Sequence, residues 1–159
     1  MLNLHFIVIG SLKESYLRDA CSEYMKRLSG FCRPEIIELK ETRVPDDPSE
    51  KEIATALREE GDKLLQLLPT RAYKIALCVE GKQFSSEELS EVLEKAALQA
   101  GDFYFVIGSS HGLDERVKAA CDLRLSVSRL TFPHQLMRVL LLEAVYRALN
   151  IQRGTRYHK

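Results

Sequence analysis

The amino-acid sequence predicts one α/β domain with a mostly parallel sheet flanked by helices, and two observations carry this. Short apolar runs ended by glycine or polar loops alternate with segments whose apolar residues recur at helical spacing along all 159 residues. No repeat, low-complexity stretch or linker interrupts that alternation, so residues 1–159 read as a single domain, long enough to bury a core.

The elements follow in order. Leu4–Ile9 is a continuous apolar run ended by Gly10, a strand buried on both faces. Leu17, Ala20, Cys21, Tyr24 and Leu28 fall on one helical face that Gly30 ends. Pro34 precedes the strand-like run Glu35–Leu39, and the proline- and aspartate-bearing stretch Lys40–Lys51 is a loop. Ser49 is placed to cap a helix with Ile53, Leu57, Gly61, Leu64 and Leu68 on one face, and Pro69 stops it. Lys74–Val79 is the third strand, Ser85 or Ser86 caps the next helix, and Phe103–Ile107 is the strongest strand signal. A short helix near Glu115–Ala120 and a strand around Leu123–Val127 follow. Pro133 opens a last helix running to about Ile151. Its apolar residues spread around nearly the whole circumference, which demands burial on more than one side. A second subunit in a C2 dimer supplies that cover, or else the helix is central within one copy.

The amino-terminal run lacks a basic flank and reads as a strand rather than a signal peptide. The apolar stretch Leu136–Leu149 is broken by Arg138, Glu143 and Arg147, so neither export nor membrane insertion is expected and the compartment is cytoplasmic. The four cysteines lie far apart without a C-x-x-C pair, which points to reduced apolar fillers and no metal site.

Lys+Arg and Asp+Glu balance at 23 each, but not locally. Residues 1–123 carry 16 basic against 22 acidic groups, a balance of −6. Residues 124–159 carry seven basic groups against Glu143, a balance of +6. A basic terminal quarter on an acidic body suits a polyanion such as RNA, or else a solvated helix face.

Ligands of open α/β sheets collect at the carboxyl ends of strands. Three loops there stand out: Leu77–Lys82, Gly108–Gly112 and Val127–Phe132. Glycines at 108 and 112 allow backbone to approach a flat ligand, although such a loop is more often just a tight turn. None matches the dinucleotide or Walker phosphate motif.

Residues 131–159 add a more specific signal: T-F-P-H-Q at the helix start, R-V-x-L-x-E-x-x-Y-R-A from Arg138, and terminal Y-H-K. With F-V-I-G-S-S-H-G-L at 105–113 and G-S-L-K-E-S-Y-L at 10–17, they resemble the ribosomal RNA large subunit methyltransferase H family of the SPOUT class. One departure is Ser109, where that family usually has a second glycine; if the position needs positive φ, serine strains the loop.

The resemblance implies a SPOUT-type α/β knot, with the C-terminal part forming a trefoil knot. It also implies a homodimer that uses S-adenosylmethionine (SAM) to methylate N3 of a pseudouridine in a 23S rRNA hairpin at the ribosomal subunit interface. Matching motif positions place the cofactor against Leu77, Gly108, Val127, Ser128, Arg129, Leu130, Thr131 and Phe132. The proton on the acceptor nitrogen must leave, which calls for a base or a charge-stabilising group beside it. The candidates are His158, Tyr157 and Arg156 in the tail and Arg138 on the last helix. Plainer readings stand beside these. His134 packs at the helix start, His111 is a surface or a site residue, Glu143 and Arg147 form an i, i+4 pair, and the tail frays. A ribosome-binding dimer without catalysis is the alternative function, and SAM binding separates the two.

Overall fold

The computed structural model describes residues 1–159. Five strands, β1 (Asn3–Ile9), β2 (Arg33–Leu39), β3 (Tyr73–Lys82), β4 (Asp102–Ile107) and β5 (Leu123–Leu125), alternate with five helices. These are α1 (Ser15–Leu28), α2 (Glu50–Leu67), α3 (Ser86–Ala97), α4 (Glu115–Ala120) and α5 (His134–Gln152). Every strand pairing is parallel, in the order β2-β1-β4-β3-β5. Crossover helices can return a parallel strand from either face, which gives three layers. On one face Phe6, Phe103 and Phe105 pack with Leu141, Leu142 and Val145 of α5 and with residues of α1 and α3. On the other, Ile7, Ile9, Ala76 and Val106 meet Leu64 of α2 and Val117 of α4.

Local chemistry fixes the boundaries. Ser49 and Ser85 each accept a hydrogen bond from the backbone N–H three residues on, and Glu52 and Glu88 return the bond to the cap residue's own N–H. Such caps are worth about 1 kcal/mol each. Pro34, which has no N–H to donate, sits inside β2, an edge strand.

β3 and β5 end away from where the sequence places them, each for its own reason. β3 runs on to Lys82, because after Leu77 it shifts register and follows β5. Its last residues are mostly exposed, so no apolar pattern announced them. β5 stops at Leu125 rather than near Val127, because the Ser126 hydroxyl donates to the Ser128 carbonyl and turns the chain.

α5 lies between α1 and α3 and buries Leu141, Leu142, Val145, Ala148 and Leu149. Its all-round apolar pattern is therefore largely accounted for inside one protomer, with the returning tail covering part of the rest. Only the first turns leave apolar surface open, at Leu136. All four cysteines are free thiols, and Cys21 and Cys32 are buried. No helix is long and apolar enough to cross a membrane.

Candidate active site

The three loops singled out in the sequence converge at the carboxyl edge of β3, β4 and β5. Between them lies a cavity of about 660 Å³, a volume suited to a nucleoside-sized ligand. Leu77, Gly108, Val127, Ser128, Leu130, Thr131 and Phe132 all line it. Arg129, the remaining expected cofactor residue, does not. It sits in a turn where the Ser128 hydroxyl accepts the N–H of Leu130, which presents Leu130 rather than Arg129 to the cavity.

Close backbone approach builds the walls. A Cβ on Gly81 would lie 2.7 Å from the carbonyl carbon of Leu125, so only glycine lets the end of β3 cross β5 here. Gly108 is constrained by its own loop and not by a ligand: a Cβ there would meet the Gly112 backbone and the Leu113 side chain. Gly112 has φ +95, the left-handed region that favours glycine. Ser109 has no positive φ, so the strain anticipated for serine does not arise. Its carbonyl accepts the N–H of Gly112 at 2.9 Å.

Cys78, Val79 and Glu80, all within the expected loop Leu77–Lys82, line the cavity too, and Met137 in the first turn of α5 joins them unforeseen. Helical spacing was the available signal for Met137, which stands three residues beyond His134. His134 and His111 also line the cavity. Burial pushes the Cys78 thiol up, so it is protonated and no nucleophile. A hydrogen bond from Lys118 holds the Glu80 carboxyl below its ordinary value, giving an ion pair at the cavity wall.

The four expected catalytic residues lie elsewhere in the protomer. Arg138 is buried under the loop after β1, donating to Glu38 Oε2 and to the Gly10 carbonyl, both at 3.2 Å; its Nε has no partner. The tail is docked rather than frayed. Tyr157 donates to Glu143 Oε2 at 2.7 Å and packs edge-on against Tyr146, with Arg147 over its ring. His158 bridges Glu87, at 2.6 Å, and Arg147. Burial and the Glu143 carboxylate push the Tyr157 hydroxyl up, so it is a donor here and not a base. Arg156 is exposed. Glu143 stands nine residues along α5 from His134, about 14 Å at 1.5 Å per residue. No tail residue lines the cavity of its own protomer.

Much of the basic quarter is committed internally. Arg124 pairs with Glu115, Arg138 with Glu38, and Arg147 with Glu143. Arg153 donates to the Gly30 and Phe31 carbonyls and stacks over the Phe31 ring. Arg129, Arg156 and Lys159 make no such bond.

Comparisons with known proteins agree with this architecture. Residues 2–158 match the family model described as "Predicted SPOUT methyltransferase". The protein named ribosomal RNA large subunit methyltransferase H from Streptococcus equi subsp. zooepidemicus is 45% identical over 159 residues, covering 99% of this chain and all of that one. Its namesake from Streptococcus thermophilus is 46% identical with the same coverage, and that from Leuconostoc mesenteroides 43%. In fold, the chain is similar to a probable methylase family protein from Haemophilus influenzae. That match has a TM-score of 0.59 at 15% identity and covers 99% of this chain and 71% of the other. On a family match that runs almost end to end, the chain belongs to the SPOUT methyltransferases.

Proposed function

We propose that the chain transfers the methyl group of SAM to N3 of a pseudouridine in 23S rRNA, acting on the ribosome as a cytoplasmic homodimer. The observation that carries the proposal is the cavity where β3, β4 and β5 end, with seven of the eight expected cofactor residues on its walls. The substrate class follows the names of the similar proteins. A dimer that only clamps the ribosome gives this cavity no occupant.

The apolar side chains of Leu77, Leu130 and Phe132 suit a flat purine, and the backbone of Gly108–Gly112 offers polar groups beside them. SAM supplies a methyl group already activated on a sulfonium, so alignment is the protein's chief task. The acceptor's departing proton still needs a polar neighbour, and the tail is the source proposed at the sequence level. Because the tail docks away from its own cavity, the reading places a partner's tail there. Val79, Val127 and Leu130 are 36–70% exposed around the cavity, an apolar rim suited to a second copy.

The test is incubation with tritiated SAM and naked rRNA, isolated subunits or whole ribosomes. Label in 23S rRNA at a pseudouridine N3 is the expected result, and no SAM binding at all would return the chain to the clamp reading.

A further inference from the structure

The loops after β1 and β2 enclose a second cavity of about 570 Å³, and His134 is the one residue that lines both it and the first cavity, between β3, β4 and β5. The two differ in chemistry. Leu39 is the only apolar side chain around the second, whose other walls include Lys13, Lys40, Glu41 and Gln135.

Backbone contacts fix its frame. Gly10, at φ +93, turns the chain out of β1, and its N–H donates to the Leu39 carbonyl at 2.7 Å, joining the two loops. Arg18 donates to the carbonyls of Leu12 and Lys13, and buried Arg138 donates to the Gly10 carbonyl and to Glu38. The polar side chains carried on that frame are left free. Lys13, Lys40, Glu41, His134 and Gln135 line the cavity and make no side-chain hydrogen bond or ion pair. For the lysines, which are exposed, this is ordinary. Glu41 and His134 are half-buried, where polar groups ordinarily have a partner. They also converge: a Cβ on Gly10 would stand 3.7 Å from Glu41 Oε2 and 3.9 Å from His134 Nε2. A carboxylate and an imidazole, neither engaged, thus face one point at the boundary between the two cavities.

We propose that the second cavity receives the target nucleotide, and that Glu41 is the residue that tells pseudouridine from uridine. This rests on the reading of the first cavity as the SAM site and of pseudouridine as the substrate. A methyl acceptor must lie beside its donor, and His134 is where the two cavities meet. Pseudouridine carries an N1–H where uridine, joined to ribose through N1, has a C–H at the corresponding place. A carboxylate accepts that N–H and has nothing to accept from uridine, whose entry would leave it desolvated and unpaired. Glu41 takes the N1–H, His134 borders the N3 edge that faces the donor, and Lys13 and Lys40 meet the flanking phosphates.

Steady-state methylation with tritiated SAM tests this, on ribosomal substrate carrying either pseudouridine or uridine at the target position. Glu41→Ala should cut the kcat/KM preference for pseudouridine by about tenfold or more, since a hydrogen bond to a charged group is lost. SAM affinity by calorimetry should not change, because Glu41 lies outside the first cavity. Glu41→Gln keeps a carbonyl that can accept the N–H, and should retain more of the preference than alanine does. An undiminished preference in Glu41→Ala overturns the proposal, and so does a loss matched by weaker SAM binding. The wild-type protein gives a second test that needs no variant. With 4-thiouridine at the target position, irradiation of the complex should cross-link the RNA within residues 10–13, 38–41 or 134–135. Cross-links confined to other segments overturn the proposal even if Glu41→Ala fails to fold. A wild type that methylates neither substrate sinks the methyltransferase reading, and the acceptor site falls with it. A wild type that methylates pseudouridine, while Glu41→Ala keeps its selectivity, sinks the acceptor site alone.

Discussion

A Cβ on residue 108 would stand 2.2 Å from the carbonyl oxygen of Gly112, so the two glycines that begin and end the cavity loop are pressed together by the loop's own path. The cavity inherits its shape from this contact.

Gly108→Ala is therefore expected to lose SAM affinity and stability together. Forcing atoms into a filled site costs about 1–3 kcal/mol, visible as a lower Tm. Leu130→Ala makes the contrast: Leu130 is 70% exposed and lines the cavity, so affinity should fall while Tm holds. Calorimetry and thermal melts on both variants check the pair. An unmoved Tm in Gly108→Ala would mean the loop has slack that its geometry denies.

RNA contact should be confined to the basic groups that the fold leaves uncommitted. Replacing Arg129 and Arg156 with alanine should lower the salt slope of rRNA binding by about 1.4–1.8 if each meets a single-stranded or duplex phosphate. SAM affinity should stay intact. Arg153→Ala should instead lower Tm, since its guanidinium holds two carbonyls and the Phe31 ring, the ring contact alone being worth roughly 0.5–1 kcal/mol. Titrations of labelled rRNA at several salt concentrations separate the two classes.

Where the sequence was legible, apolar spacing and capping residues had done the specifying. α4 runs from Glu115 to Ala120 as expected, and Ser49 caps α2 as expected. What escaped was decided by contacts between distant segments. The end of β3 is held by a register shift against β5, and nothing local in Glu80–Lys82 announces that. The site divides in the same way. Loop residues at strand ends could be listed from position alone, but the burial of Arg138 against Glu38 and Gly10 could not, because those partners come from the other end of the chain. Tyr157 could be read as a catalytic group or as a fraying end, and its docking was hidden because its partner, Glu143, lies on α5 and only folding brings it near.

Tail docking should be lost in acid. Burial alone would push the Glu143 carboxyl up, but hydrogen bonds from Tyr157, Tyr24 and Arg147 outweigh it and hold the group below its ordinary value of 4.5. A carboxyl depressed in the folded state contributes stability that is fully present above its unfolded value and lost as pH falls through the folded one. The ring resonances of Tyr157 should thus hold their docked positions at neutral pH and shift only below about pH 4.5. Glu143→Gln should release the tail at neutral pH as well. A tail that leaves near pH 6 instead would assign its docking to another group.

The last prediction asks which copy's tail serves which cavity. The tail leaves α5 at Arg153, and each tail docks on its own α5, away from its own cavity. One protomer alone therefore has no route from tail to donor unless the tail undocks. Combine a subunit carrying Gly108→Ala, with its tail intact, and a subunit lacking Tyr157–Lys159, with its cavity intact. Either parent dimer should be inactive. If sites are shared across a C2 interface, each purified mixed dimer holds one complete site out of two and should give about half the wild-type rate. If each tail serves its own cavity, one subunit of the mixed dimer lacks the cavity and the other lacks the tail, and no site is complete. A verified mixed dimer with no activity would rule out the shared site and leave tail undocking as the route within one protomer.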